Sequence, residues 1–388
     1  MLLKKILLSI LLFFTTYINA QDVRTLDSLV KNATSSFTFK NNKPVGQGWD
    51  VLSKQFTDNN FVGWGEYHNS PLISILAKEA LEIAARNKYN IWITETGYYA
   101  CKDLVNAASS NIFRQKINSF YKTYGVEGYT PIPFFRLAED SAMLETALKH
   151  SINIWGIDQE QQSAFPYLIT EVYNNLKPAV KNVNKPLYDS LMKYWYYPKK
   201  KDLDSLIKLV SSKEDVDKIL EIKLSREIYG NFGEDLFLCN TQRVALMKTH
   251  FYKQLNQYEK NIRNIKKPVK MFIKMGDSHL TKGFTLTTQQ LDMGNLMNEL
   301  AISKGSHYSN TQFVCRYYKS KGKLHDELTD KVTNYSRYFL KMFNKNEWTV
   351  VDLRPLKGKF ENDKSLDERT YEIIDKYDII VISPEVNE

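Results

Sequence analysis

Four short apolar runs punctuate the chain, and each ends on an acid or a histidine. Asn60–Gly65 leads into Glu66 and His68, and Asn90–Thr94 leads into Glu95. Asn153–Ile157 ends at Asp158, and Val269–Met275 ends at the Gly-Asp-Ser-His of Gly276–His279. The runs are rich in β-branched and aromatic residues and each is followed by a loop, the pattern of buried strands. Leu72–Arg86 is apolar around most of its circumference and predicts a helix against a sheet; Phe134–Lys149 predicts another. Strand–helix–strand alternation at this spacing predicts an α/β fold, a mostly parallel central sheet flanked by helices. In such sheets ligands bind outside the carboxyl ends of the strands, where all four runs place their polar residues.

The pattern changes between Ser163 and about Lys260, where no comparable strand appears. Leu203–Val210 and Val216–Ile228 are amphipathic, so residues 163–260 read as a helical insertion near the strand ends, able to cap them as a lid. The aromatic stretch Tyr194–Pro198 is expected to form the core of this insertion. Beyond Gly305, strand signals return at Thr311–Tyr317, Trp348–Leu353 and Asp378–Ser383, which should extend the sheet.

Composition narrows the setting. Hydrophobic residues make up 43% of the 388, ample for a packed core. The formal net charge is +9, but the cations are scattered and the densest run, Pro198–Lys201, reads as a solvated loop. No nucleic-acid partner is expected. Lys4 and Lys5 precede an apolar run from Ile6 to Tyr17, with Ile18-Asn19-Ala20 as a cleavage site. Residues 1–20 therefore read as a signal peptide whose apolar run is too short to span a bilayer. The mature chain, 21–388, is expected as one exported domain, periplasmic or secreted, with no transmembrane segment. Cys101, Cys239 and Cys315 leave room for one disulfide and show no metal-binding CxxC pattern.

Against this background the strand-end residues become candidates for chemistry. Asn69 or Ser70 would cap the helix that follows His68, with Pro71 in its first turn. The helix N-terminus would then favour a neutral imidazole, suited to a general base or a metal ligand, with Glu66 orienting it. His279 repeats the arrangement, since Gly65–His68 and Gly276–His279 are both Gly-acid-x-His after an apolar strand. Glu95 precedes Gly97, which permits close approach to the backbone, while Asp158 reads equally as ligand contact or as a helix N-cap. On a predicted helix over Glu234–Tyr258, Asn240, Arg243, Met247 and His250 share one stripe, beside an apolar stripe of Phe237, Val244, Phe251 and Leu255. Arg243 there suits either a developing oxyanion or a structural salt bridge; His250 suits edge packing. A nucleophile-elbow serine, a P-loop, a dinucleotide fingerprint and an HExxH helix are all missing from the sequence.

These motifs together resemble the superfamily that joins erythromycin esterase-like hydrolases, ChaN haem-binding lipoproteins and Tiki/TraB proteases. "GWGEYHNSP" resembles its opening G-E-x-H motif, "WITETG" the second-strand glutamate, "NTQRVALM" the helix arginine motif and "MGDSHL" the closing histidine motif. "MGNLMNELA" resembles the Met-Gly-x-x-Leu helix of the esterase branch, and the likeness runs from about Phe61 to Tyr318. It implies an α/β core with its site at the strand ends. By this resemblance His68 is the base that activates water, and Glu66 and Glu95 orient or polarise it. Arg243 and His279 would stabilise the tetrahedral intermediate or protonate the leaving group. Asp158 and Asn240 are assigned to substrate contact. Where the esterase branch has His-Asn-x-His, this chain has Gly276 and Asp277, which argues against a macrolide substrate and adds Asp277 to the catalytic candidates. The expected function is thus an exported, cofactor-free hydrolase of an ester or related acyl bond in a small-molecule or peptide substrate. Two alternatives follow from the other branches: a metal-dependent peptidase using His68, His279 and Glu95, and a haem- or iron-binding protein.

Overall fold

The computed structural model describes residues 26–68, 70–108, 113–125, 130–135, 138–262, 268–329, 335–360 and 366–387. The expected signal peptide, residues 1–20, and the candidate cap Asn69 lie outside the described residues. Ten strands form one sheet: β1 Thr34–Lys40, β2 Lys43–Val45, β3 Phe61–Glu66, β4 Ile91–Gly97, β5 Asn153–Asp158, β6 Met271–Gly276, β7 Tyr308–Ser320, β8 Lys323–Asp326, β9 Trp348–Asp352 and β10 Ile379–Asn387. Their order is β2-β1-β9-β10-β7-β3-β6-β4-β5, with β8 paired to β7. From β10 to β5 every neighbouring pair is parallel, while β1, β2, β8 and β9 join antiparallel. The sheet is the mostly parallel, helix-flanked one that the apolar runs predict.

Side-chain alternation along these strands builds two cores. Val62, Trp64, Trp92 and Phe272 pack on one face with the helices Pro71–Arg86 and Ala138–Lys149. Phe61, Ile91, Ile93, Met271, Ile273 and Met275 pack on the other with Met247 and Phe251 of the helix Leu236–Ile262. A period of two against two apolar layers explains why these strands read as continuous apolar runs. All four expected strand ends fall at the same edge of the sheet, because parallel strands run in one direction. Ser70 caps the helix after β3, its side chain accepting the Ile73 N–H at 3.2 Å, with Pro71 in the first turn.

From Phe165 to Ile262 every described regular element is a helix, the last two being Lys213–Asn231 and Leu236–Ile262. Several expectations need correction. The helix anticipated over Phe134–Lys149 begins at Ala138, and Phe134 has φ of 64°, outside any helix. Tyr194–Pro198 is not an internal core: Tyr194, Tyr196 and Tyr197 are exposed. Phe237 does not join Val244, Phe251 and Leu255 in packing on the core; it faces solvent. The room that the sequence leaves for one disulfide is not used in this structure, where Cys101, Cys239 and Cys315 are not bridged to one another. No described helix is long and apolar enough to cross a membrane.

Candidate active site

The site is assembled where β3, β6 and β4 end side by side. Gly65 makes the first close approach: a Cβ there would lie 2.6 Å from Cα of Asp277, so only glycine lets the turn after β6 fold against β3. Gly65→Ala should lower stability by about 1–3 kcal/mol, because backbone rather than a flexible side chain must move; a denaturant titration would read it as a lowered midpoint.

Beyond Gly65, Glu66 is buried and serves two partners. Its Oε2 accepts from the Lys274 ammonium, and Oε1 lies 3.3 Å from His68 Nδ1. An ionised carboxylate only accepts, so His68 Nδ1 carries the proton and the neutral ring turns its Nε2 lone pair into the site. That Nε2 is 3.9 Å from Glu95 Oε2. Phe134 covers the imidazole, ring centroids 4.6 Å apart. Its left-handed backbone is rare for an aromatic residue, and such strain concentrates at functional positions.

Glu95 is the hub of the second half. Its Oε2 accepts the Gly276 N–H at 2.6 Å, and its Oε1 accepts Arg243 Nη2 at 2.7 Å. His279 Nε2 stands 3.5 Å from the same Oε1. Arg243 also donates Nε and Nη2 to the two oxygens of Asp158, at 2.9 and 2.6 Å. His279 is fixed from behind, Nδ1 donating to Asp292 Oδ2 at 2.7 Å.

The electrostatics follow from who faces whom. Burial opposes ionisation of Glu66, but Lys274 and His68 hold its carboxyl below the ordinary value. For Glu95, His279, Arg243 and His68 outweigh burial and hold it well below. Burial likewise opposes the His279 imidazolium, and Arg243 repels it, yet Asp292 and Glu95 raise its pKa to about 10. His68 is raised as well: Glu66 and Glu95 overcome its desolvation. This opposes the expected pull of the helix N-terminus toward the neutral form, since two facing carboxylates favour the imidazolium more than the fractional charge of a helix N-terminus disfavours it. The two histidines therefore differ in kind. His279 is buried and held by Asp292 and Glu95, with its pKa raised to about 10, whereas His68 is half-buried, with its pKa raised by Glu66 and Glu95.

The sequence-level candidates divide accordingly. Glu66, His68, Glu95, Arg243, His279 and Asp158 come together. Asp158 does so through Arg243 and the Gln159 N–H, which occupy its carboxylate, so it is a support for the arginine rather than a free substrate contact. Asn240 does not join them: its side chain is turned back onto Leu236 O of its own helix. Asp277 lies beside the cluster with Oδ2 accepting from Gln312 Nε2 at 2.7 Å, and burial pushes its carboxyl above the usual range. Sequence reasoning missed Lys274, Asp292 and Phe134. A lysine inside an otherwise apolar strand was the available signal for the first, and an N-cap aspartate before Met293 for the second.

No family model matches this chain, and no curated protein matches it. Solved structures do. An erythromycin esterase mutant, EreC, in its open conformation superposes with a TM-score of 0.53 at 13% identity, over 87% of this chain and 93% of that one. A succinoglycan biosynthesis protein superposes with a TM-score of 0.52 at 14% identity, over 92% and 96%. ChaN of Campylobacter jejuni with cofacial haem aligns at 0.31 and 12% identity, over 72% and 91%. At these identities the first two establish the fold, the α/β fold seen in erythromycin esterase, and nothing about activity.

Proposed function

We propose that this protein hydrolyses an ester or related acyl bond without a metal, using His68 as the general base. One observation carries the reading: a half-buried imidazole with Nδ1 on Glu66 and Nε2 facing the interior, beside a second imidazole held between Asp292 and Glu95, which raise its pKa to about 10. Water bound at His68 Nε2 attacks the carbonyl carbon as its proton passes to the ring. The tetrahedral oxyanion develops beside His279, whose positive charge is already in place. Glu66 and Glu95 stabilise the His68 imidazolium. Collapse breaks the carbon–oxygen bond, the leaving alkoxide takes the proton from His68, and acid and alcohol depart. Arg243 is given to Asp158 and Glu95, so its part is to hold Glu95 in position.

The donor set supports a metal-free reading. A dication between His68, His279 and Glu95 would meet both Glu95 oxygens already accepting from Arg243 and Gly276, with the guanidinium and the imidazolium of His279 as like-charged neighbours. A haem iron would compete with Glu385 for Tyr67 and with the attacking water for His68 Nε2.

A panel of 4-nitrophenyl esters, with and without a chelator, tests the proposal. Turnover should survive chelation. It should also rise with pH through a midpoint above 6.5: only neutral His68 accepts a proton, and its raised pKa moves that form to higher pH. A profile flat from mild acid to mild alkali would rule out His68 as the base.

A further inference from the structure

The turn that joins the helices Lys213–Asn231 and Leu236–Ile262 carries a concentration of apolar side chains in solvent. Phe232 is 67% exposed, Phe237 64% and Leu236 54%, with Leu238 beside them. Nothing in the local fold requires this, since Asp235 already caps the second helix by accepting the Leu238 N–H. Tyr197 stands next to the turn, preceded in the chain by the exposed Tyr194 and Tyr196. Tyr197 packs its hydroxyl against Gly230, and Arg226 lies 3.8 Å over its ring and donates to Pro198 O at 2.5 Å. Lys199 lies 4.0 Å over the Tyr194 ring, and exposed Lys193, Lys200 and Lys201 continue the basic rim.

We propose that this surface docks on an anionic phospholipid membrane. Three features select that occupant. Bulky apolar side chains are exposed at one turn, Tyr197 packs beside that turn, and five cations, Lys193, Lys199, Lys200, Lys201 and Arg226, accompany the tyrosine stretch against the acids Glu227, Glu234 and Asp235. Aromatic rings with a polar edge settle at the headgroup level, aliphatic and phenyl groups insert below it, and lysines pair with anionic lipid. The lysines decide against a protein partner, since lysine is depleted at protein–protein interfaces and pairs with anionic lipid.

The surface also adjoins the site. Gln162, four residues past Asp158, donates to Tyr196 O at 2.9 Å, and Tyr229 donates to Gln161 at 3.0 Å. Leu236, Asn240 and Arg243 lie on one stripe of one helix, so the tip stands about 10 Å along the axis from Arg243. Docking would bring the mouth of the site to the lipid surface, where amphiphilic esters are presented.

Co-sedimentation of the protein with vesicles tests this directly. It should pellet with mixed phosphatidylglycerol–phosphatidylcholine vesicles at least about tenfold more than with pure phosphatidylcholine, and less at high salt. The pair Phe232→Ser/Phe237→Ser should lose about tenfold of that binding, as should Lys199→Glu/Lys200→Glu. Both pairs alter exposed side chains, and unchanged circular dichroism would report an intact fold. Absence of binding by the unmodified protein overturns the proposal, as does full binding by the serine pair. So does conversion of an oligomer to a monomer by the serine pair, which would assign the patch to a second copy. Turnover of soluble nitrophenyl esters is read separately, so hydrolysis and docking can fail independently.

Discussion

His68→Ala should abolish turnover, by about 10²–10⁴-fold, while leaving the fold intact. The fold should survive because of how the charges are arranged. Removing the imidazole deprives Glu66 of one partner, but Lys274 still holds its other oxygen, so no buried carboxylate is left alone. Glu95 loses only a neighbour 3.9 Å away and keeps Arg243 and the Gly276 N–H. The ring is half-buried, so little packing is lost beyond its contact with Phe134. Kinetics and a thermal melt on the same sample separate the two effects. Turnover within threefold of the unmodified protein, measured on an ester it hydrolyses, would exclude His68 from the chemistry. A rate loss that tracked a collapsed melt would mean that the imidazole is structural. Glu66→Gln should be milder in rate and should lower the pH midpoint, since a neutral amide no longer favours the imidazolium.

That contrast also shows what a sequence can reveal. Glu66, Glu95, Asp158 and His279 are legible because each stops an apolar run, and strand direction then places all four on one edge. Arg243 is legible because helical spacing sets it beside an apolar stripe. Lys274 is not, because its partner is fixed by strand register: it lies opposite Trp64 on the neighbouring strand, and so reaches Glu66. No local pattern encodes that pairing. Asp292 escapes for the same reason, standing thirteen residues from the histidine it orients. The Tyr194–Pro198 stretch shows the converse failure. Aromatic density marks a surface to be buried, and composition alone does not say whether the rest of the chain or something else buries it. Phe134 leaves the expected helix because a left-handed backbone puts it over His68, a tertiary demand overriding an amphipathic pattern.

Arg243→Met should be the most damaging single change to stability, costing about 3–5 kcal/mol. Arg243 is the cation between two buried carboxylates, bidentate to Asp158 and singly bonded to Glu95. Methionine fills much of the volume but removes the cation the two acids share, leaving Glu95 with His279, His68 and the Gly276 N–H and Asp158 with the Gln159 N–H, and like charges at short range in a dry site repel strongly. The loss should depend on pH in a definite direction. Glu95 has its pKa depressed in the native protein, so its contribution to stability is full above the unfolded value near 4.5 and falls away in acid as the pH drops through the native value. In the variant the depressing guanidinium is gone, Glu95 protonates at higher pH, and its protonation relieves the repulsion. The gap between variant and unmodified protein should therefore narrow as pH falls from 7 toward 5. Adding Asp158→Asn to Arg243→Met should restore part of the loss at pH 7, because it removes one of the stranded charges. Denaturant midpoints for the three proteins at two pH values decide the matter. A deficit under about 1 kcal/mol, unchanged with pH, would mean that the buried acids do not need this arginine.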